Sequence, residues 1–173
     1  GQEVFIDPVS GADIQEYASL KFRPGSGNLT DNNVAFATDI PLMRIEEMYF
    51  IEAEATAHQN PAAGKQLLEN FMKTYRYDSY STNAAGEDEV VEEILLQKRI
   101  EFWGEGITPF DFKRLDHSVI RGYDGTNWPA TTRFNTNGRP GWLNFVMCGL
   151  EGELNKGCTG WNNPDVGGTF ESL

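Results

Sequence analysis

Two runs of helix-forming residues, Pro41–His58 (PLMRIEEMYFIEAEATAH) and Pro61–Tyr77 (PAAGKQLLENFMKTYRY), are separated only by Gln59 and Asn60. Each opens on proline, which suits the first turn of a helix and cannot continue one already formed. A link that short forces two helices to run back along each other as an antiparallel hairpin. In the first run Leu42, Ile45, Tyr49, Ala53 and Ala57 recur at three and four and predict an inward stripe, with Met48, Ile51 and Ala55 forming a second one beside it. That helix is apolar over much of its girth and is expected to pack on two sides, its alanines allowing close approach. In the second run Ala63, Leu67, Leu68, Phe71, Met72 and Tyr75 are expected to face inward.

A loop at 78–86 leads to a third predicted helix, Glu87–Trp103, acidic in its first turn (Glu87, Asp88, Glu89) and basic near its end (Lys98, Arg99). This is the charge order that the helix dipole favours. Gly104-Glu105-Gly106 then breaks the helix, and a short helix or turn starts near Pro109, with Phe110 expected to enter the core. The stretch Leu95–Leu115 (LLQKRIEFWGEGITPFDFKRL) thus concentrates acids, bases and rings. Residues 1–40 are rich in turn formers, with a short strand possible in Tyr17–Phe22. From Asp116 onward helical periodicity ends. Asn137-Gly138 closes a tight turn, Gly141–Met147 can alternate as a strand, and Gly157–Leu173 reads as an extended surface tail. The fold class expected is mainly α, with an irregular, partly β C-terminal region.

Charge and composition exclude several functions. The chain carries 26 acidic residues against 14 Lys and Arg, a net charge of −12, whereas binding a phosphate backbone needs a basic surface, so nucleic acid is a poor partner. No apolar run approaches the roughly 20 residues of a membrane-spanning helix. The first residue is Gly, with no basic or apolar leader after it, and we expect the chain to be the C-terminal portion of a longer protein. Cys148 and Cys158 can be a disulfide or two thiols on spacing alone. His58 and His117 lie in no ligand-like cluster, so no zinc site and no other cofactor is expected.

Glu101, Glu105 and Asp111 could form the carboxylate pair of a glycoside hydrolase. The neighbouring Arg99, Lys113 and Arg114 argue for structural ion pairs instead, because paired cations hold carboxylates ionised while a general acid needs a raised pKa. We expect structural ion pairs among Glu47, Glu54, Arg99, Glu101, Glu105, Asp111 and Arg114, with Glu54 or Glu47 buried on Arg99 or Arg114 and Glu52 more exposed. Trp103 is expected to pack in the core at the helix end. Ligand contacts are expected at Trp128 and Tyr123, in a loop that combines rings with Asp124 and Asn127, then at Trp142 with Asn144, and last at Trp161.

Several segments, in order, resemble the SusD/RagB family of outer-membrane nutrient-binding lipoproteins. They are Lys21-Phe22-Arg23-Pro24-Gly25 with Asn28; Pro41-Leu42-Met43-Arg44 with Glu47, Tyr49 and Ala53-Glu54-Ala55; Arg99, Glu101, Gly104-Glu105-Gly106, Phe110-Asp111 and Lys113-Arg114; then Glu153-Leu154-Asn155 and Asn163-Pro164. Gln97 and Thr108 depart from the family's usual Glu and Arg. The resemblance implies the C-terminal portion of a SusD-like domain, with 41–77 as its last tetratricopeptide-like helix pair, 87–115 as helix, break and short helix, and 116–173 as a loop-rich region. It also implies a non-catalytic protein on the outer-membrane surface, held by an N-terminal lipid anchor outside this chain. Its implied partners are a glycan, a TonB-dependent porin and the N-terminal part of the same protein, for which Met48, Ile51 and Ala55 are the expected docking flank. The alternative within the family is binding of peptide or of the transporter without glycan.

Overall fold

The computed structural model describes residues 5–6, 18–19, 21–22, 38–144, 148–158, 160 and 169–171. The chain divides into two compact units, Gly1–Glu105 and Gly106–Leu173, and the boundary falls inside the Gly-Glu-Gly break.

The first unit contains a two-residue antiparallel pairing of β1 (Phe5–Ile6) with β2 (Ala18–Ser19), then three helices: α1 (Ile45–Ala57), α2 (Pro61–Tyr75) and α3 (Glu87–Glu101). Helix α1 starts four residues later than its Pro41 suggests. Arg44 keeps an extended backbone at the N-cap (φ −131°, ψ 152°), while its carbonyl already accepts from Glu47 N. Asn60 caps α2, its Oδ1 accepting from Ala63 N at 3.2 Å, with Pro61 at the first helical position. Replacing Asn60 with Ala is expected to cost about 1 kcal/mol in unfolding free energy, read as a lower urea midpoint at unchanged m.

The hairpin direction follows from its contacts. Phe50 meets Phe71 edge-on at 5.1 Å, and Ala57 lies against Gly64, so position rises along α1 as it falls along α2. The fit at Ala57 is backbone against backbone, since a Cβ on Gly64 would lie 2.6 Å from the Ala57 Cα. Helix α3 closes over both, running antiparallel to α1: Phe102 just past its end meets Phe50 at 5.8 Å, while Glu87 at its start meets His58 at 2.9 Å. Phe50, Ala53, Ala57, Leu68, Phe71, Val90, Ile94, Leu95 and Phe102 form the core of this unit.

The inward face of α1 differs from the expected stripe. It is Phe50, Ala53, Glu54 and Ala57, whereas Leu42, Ile45 and Tyr49 are exposed; Met48, Ile51 and Ala55 are not packed as a second inward stripe but stand exposed, as expected of the apolar flank. The ring of Phe50 fills the space among three helices, and the face follows it, even though this buries Glu54. Of the α2 positions expected inside, Tyr75 is exposed and Leu68 and Phe71 are buried. Trp103 does not enter the core: it is 57% exposed, with Phe22 at 6.3 Å, and its neighbour Phe102 takes the buried place.

The second unit begins with α4 (Thr108–Arg114) and ends with β4 (Thr169–Glu171), which pairs antiparallel with β3 (Asn135–Asn137). Between them lie α5 (Gly149–Leu154) and 3-10 turns at 130–132, 141–143 and 156–158. In α4 the buried ring is Phe112, not Phe110, which is 71% exposed. Two positions along a helix turn a side chain by about 200°, so one of the pair points out when the other points in. The strand expected at 141–147 is absent where it is described: Gly141–Leu143 is a 3-10 turn, and 145–147 lie outside the described residues. The cysteines are free thiols, Cys148 exposed and Cys158 buried. No helix among the described residues is long and apolar enough to cross a membrane.

Candidate functional site

The second unit presents a row of alternating rings and guanidinium built on two short extended segments. Arg121 N donates to Phe134 O at 3.0 Å and Thr136 N to Val119 O at 3.0 Å, laying 119–121 alongside 134–136. Asn135 fastens the turn that follows: its Oδ1 accepts from Arg121 N and Gly122 N at 3.1 and 2.8 Å, and its Nδ2 donates to Gly122 O. The buried Thr136 hydroxyl accepts from Val119 N at 2.9 Å and donates to Gly138 O at 2.8 Å. Tyr123–Thr126 closes a turn, Thr126 N donating to Tyr123 O, with Gly125 at φ 78° where a side chain would be strained. The chain then returns through Trp128-Pro129.

On this frame the Arg121 guanidinium lies 4.1 Å from the centroid of the Trp128 ring and 4.5 Å from that of Phe134. Trp142 meets Phe134 edge-on at 5.5 Å. The result is a row, Trp128–Arg121–Phe134–Trp142, whose end members are 40% and 52% exposed. A guanidinium between two ring faces is an attractive arrangement that also fixes the rings' tilt. Such exposed rings offer flat apolar faces beside hydrogen-bonding groups.

Two of the five ligand contacts expected from the sequence, Trp128 and Trp142, belong to this row. Tyr123 stands exposed on the turn without a ring contact among the described residues, and Asn144 is half-buried at the end of the 3-10 turn. Trp161 lies outside the described residues. Arg121 and Phe134 complete the row, and the sequence offers no periodic signal for either. The one hint is that Arg121 is the only Lys or Arg between Arg114 and Arg133.

The acids of the helix break lie in the first unit, in a closed brace. Arg44 forks onto Glu105, donating from Nε at 3.1 Å and Nη2 at 2.9 Å, and reaches Glu101 Oε1 from Nη1 at 3.0 Å. Arg76 forks onto Glu101 from Nε at 2.6 Å and Nη2 at 2.8 Å. Lys21 pairs with Glu105 and donates to Glu101 O at 2.8 Å, and Glu46 approaches both arginines. Three cations therefore face three carboxylates. Arg44 also covers the Phe102 ring at 4.7 Å. Gly104 sits where φ is 78°, a conformation that favours glycine, and a Cβ there would also strike the Phe22 ring.

Burial pushes Glu101 and Glu105 upward, but hydrogen bonds and charge from Arg76 and Arg44 on the first, and from Arg44 and Lys21 on the second, outweigh it. Both stay below the ordinary value of 4.5, ionised rather than poised as a general acid. A depressed folded-state pKa contributes stability that is fully present above the unfolded value and lost as pH falls through the folded one. Urea midpoints are therefore expected to hold from about pH 7 to 5 and to drop progressively below about 4.5, with Glu105→Gln flattening the drop.

The remaining expected ion-pair residues are placed as follows. Glu54 is buried, with His58 Nε2 3.8 Å from its carboxylate; Glu52 is exposed; and Glu47 is half-buried with no ion pair among the described residues. Arg99 is exposed on the last turn of α3. In the second unit Asp111 is buried and accepts from Arg114 Nε and Nη2 at 2.9 and 2.7 Å. Arg44, which from its place at the start of α1 is expected to be a structural partner rather than a ligand contact, carries the brace together with Arg76 and Lys21, which the expected ion-pair set did not contain. No group of three or more His, Cys, Asp or Glu among the described residues could hold a metal ion.

A helical hairpin closed by a third helix, together with a loop-rich unit that presents rings, defines a mainly α protein. Residues 14–147 match the SusD family, and the chain belongs to that family. A similar solved structure is that of a SusD-like carbohydrate binding protein from Bacteroides vulgatus, at 25% identity and a TM-score of 0.60, with 89% of this chain and 37% of that one covered. The chain thus spans little more than a third of that protein's length. Comparison with curated proteins gave no match.

Proposed function

We propose that this chain is the C-terminal portion of a surface lipoprotein that captures polysaccharide or oligosaccharide, without cleaving it, for import through a TonB-dependent outer-membrane transporter. On this reading 41–77 is the last tetratricopeptide-like pair of its scaffold, and the lipid anchor belongs to the N-terminal part of the protein. The observation that carries glycan capture is the exposed row Trp128–Arg121–Phe134–Trp142, because a pyranose ring needs a flat apolar face with hydrogen-bonding groups at its edge. Family membership and the carbohydrate-binding relative support it. The acids closest to a hydrolase pair are held ionised in the brace, which supports capture over cleavage.

Affinity electrophoresis of the full-length protein against a panel of polysaccharides tests this. Trp128→Ala and Trp142→Ala are each expected to weaken retention by about tenfold, since removing an aromatic anchor costs on the order of 1.4 kcal/mol or more. Retention of peptides with no glycan retained would reverse the reading. Release of reducing sugar that disappears in Glu105→Gln would replace it with a hydrolase.

A further inference from the structure

We infer that the ring row is a subsite for an acidic sugar, one bearing a carboxylate or a sulfate ester, with Arg121 and Arg133 as the groups that read the charge. This rests on the glycan reading above and names the class of glycan. The second unit has four arginines. Arg114 is paired with Asp111 at 2.7 Å, and Arg139 approaches Asp116 at 3.8 Å. Arg121 and Arg133 pair with no carboxylate among the described residues, although acids outnumber bases nearly two to one in the chain.

Both arginines converge on Trp128. Arg121 stacks on its ring and, among the described residues, uses a single long bond, Nη1 to Thr132 O at 3.5 Å, of its five donors. Arg133 is exposed and donates from Nη2 to the Trp128 carbonyl at 2.9 Å. A guanidinium held between two rings loses little side-chain freedom when it binds. Its planar fork matches a carboxylate or a sulfate, and a neutral sugar would leave that charge unanswered. The net charge of −12 repels polyanions at long range, but salt screens such repulsion beyond roughly 8 Å, so the contact itself is decided by these two side chains.

The test is affinity electrophoresis of the full-length protein in gels cast with a neutral glucan, a polyuronate or a sulfated galactan. Stronger retention by either acidic polymer than by the glucan is expected, with Arg121→Ala and Arg133→Gln each weakening it about tenfold or more. Arg133 is exposed and makes one side-chain bond among the described residues, so its variant reports binding even where Arg121→Ala disturbs the row. Retention by the polyuronate alone identifies a carboxylate, and by the sulfated polymer alone a sulfate ester. Retention confined to the neutral glucan, or acidic-polymer retention unchanged in both variants, overturns the acidic-sugar assignment and leaves glycan capture standing. Retention by none of these or any other polysaccharide overturns both.

Discussion

Arg44→Ala is expected to lower the unfolding free energy by roughly 3 kcal/mol, the low end of the cost of breaking a buried ion pair. Its guanidinium answers two carboxylates at once, and the Glu105 side chain is only 3% exposed. After the substitution Glu105 keeps Lys21 and Glu101 keeps Arg76, which holds the loss below the top of that range. Burial works to lower the Arg44 pKa, but its bonds to Glu105 and Glu101 raise it, so the side chain is charged at every accessible pH. Arg44→Lys should recover less than half of the loss, because an ammonium cannot fork onto one carboxylate while bridging to another. Urea denaturation measures both variants. A loss within about 0.5 kcal/mol, as for an ordinary surface pair, would reduce the brace to decoration.

Gly64→Ala is expected to destabilise by about 2 kcal/mol, against the sign that helix propensity predicts. In an exposed helix interior the change would stabilise by nearly 1 kcal/mol. Here the new Cβ would meet the Ala57 Cβ at 2.5 Å and its Cα and N at 2.6 Å. No rotamer change relieves contact with backbone, so α1 and α2 must separate, and overpacking of this kind costs typically 1–3 kcal/mol or more. Adding Ala57→Gly removes the Cβ contact but not the other two, so rescue should be partial. A raised melting temperature for Gly64→Ala would show that the helices are not packed this closely.

The helices, their hairpin and the glycine break were legible because their signals are local: proline at a first turn, acids before bases, glycine where φ is positive. Which face of each helix turns inward was less so. The expected and observed faces of α1 share Ala53 and Ala57 and differ by where the large ring sits, Phe50 in place of Tyr49, one residue or about 100° away. The same one- or two-residue ambiguity exchanged Trp103 for Phe102 and Phe110 for Phe112. Composition cannot choose between adjacent rings, since both bury comparable apolar area.

The brace and the ring row show the other boundary. Glu101 and Glu105 announce themselves in the sequence, but their cations come from Lys21, Arg44 and Arg76, up to 84 positions away. Trp128 could be picked out as a loop aromatic and Trp142 as a ring on an expected strand, whereas Arg121 and Phe134 joined them only once 119–121 lay along 134–136. By itself, then, the sequence determined where backbone hydrogen bonds run within helices and where they must stop, because those depend on neighbours along the chain. Tertiary structure decided which rings are buried, which acids meet which bases, and which rings stand in a row, because each depends on groups brought together from distant positions.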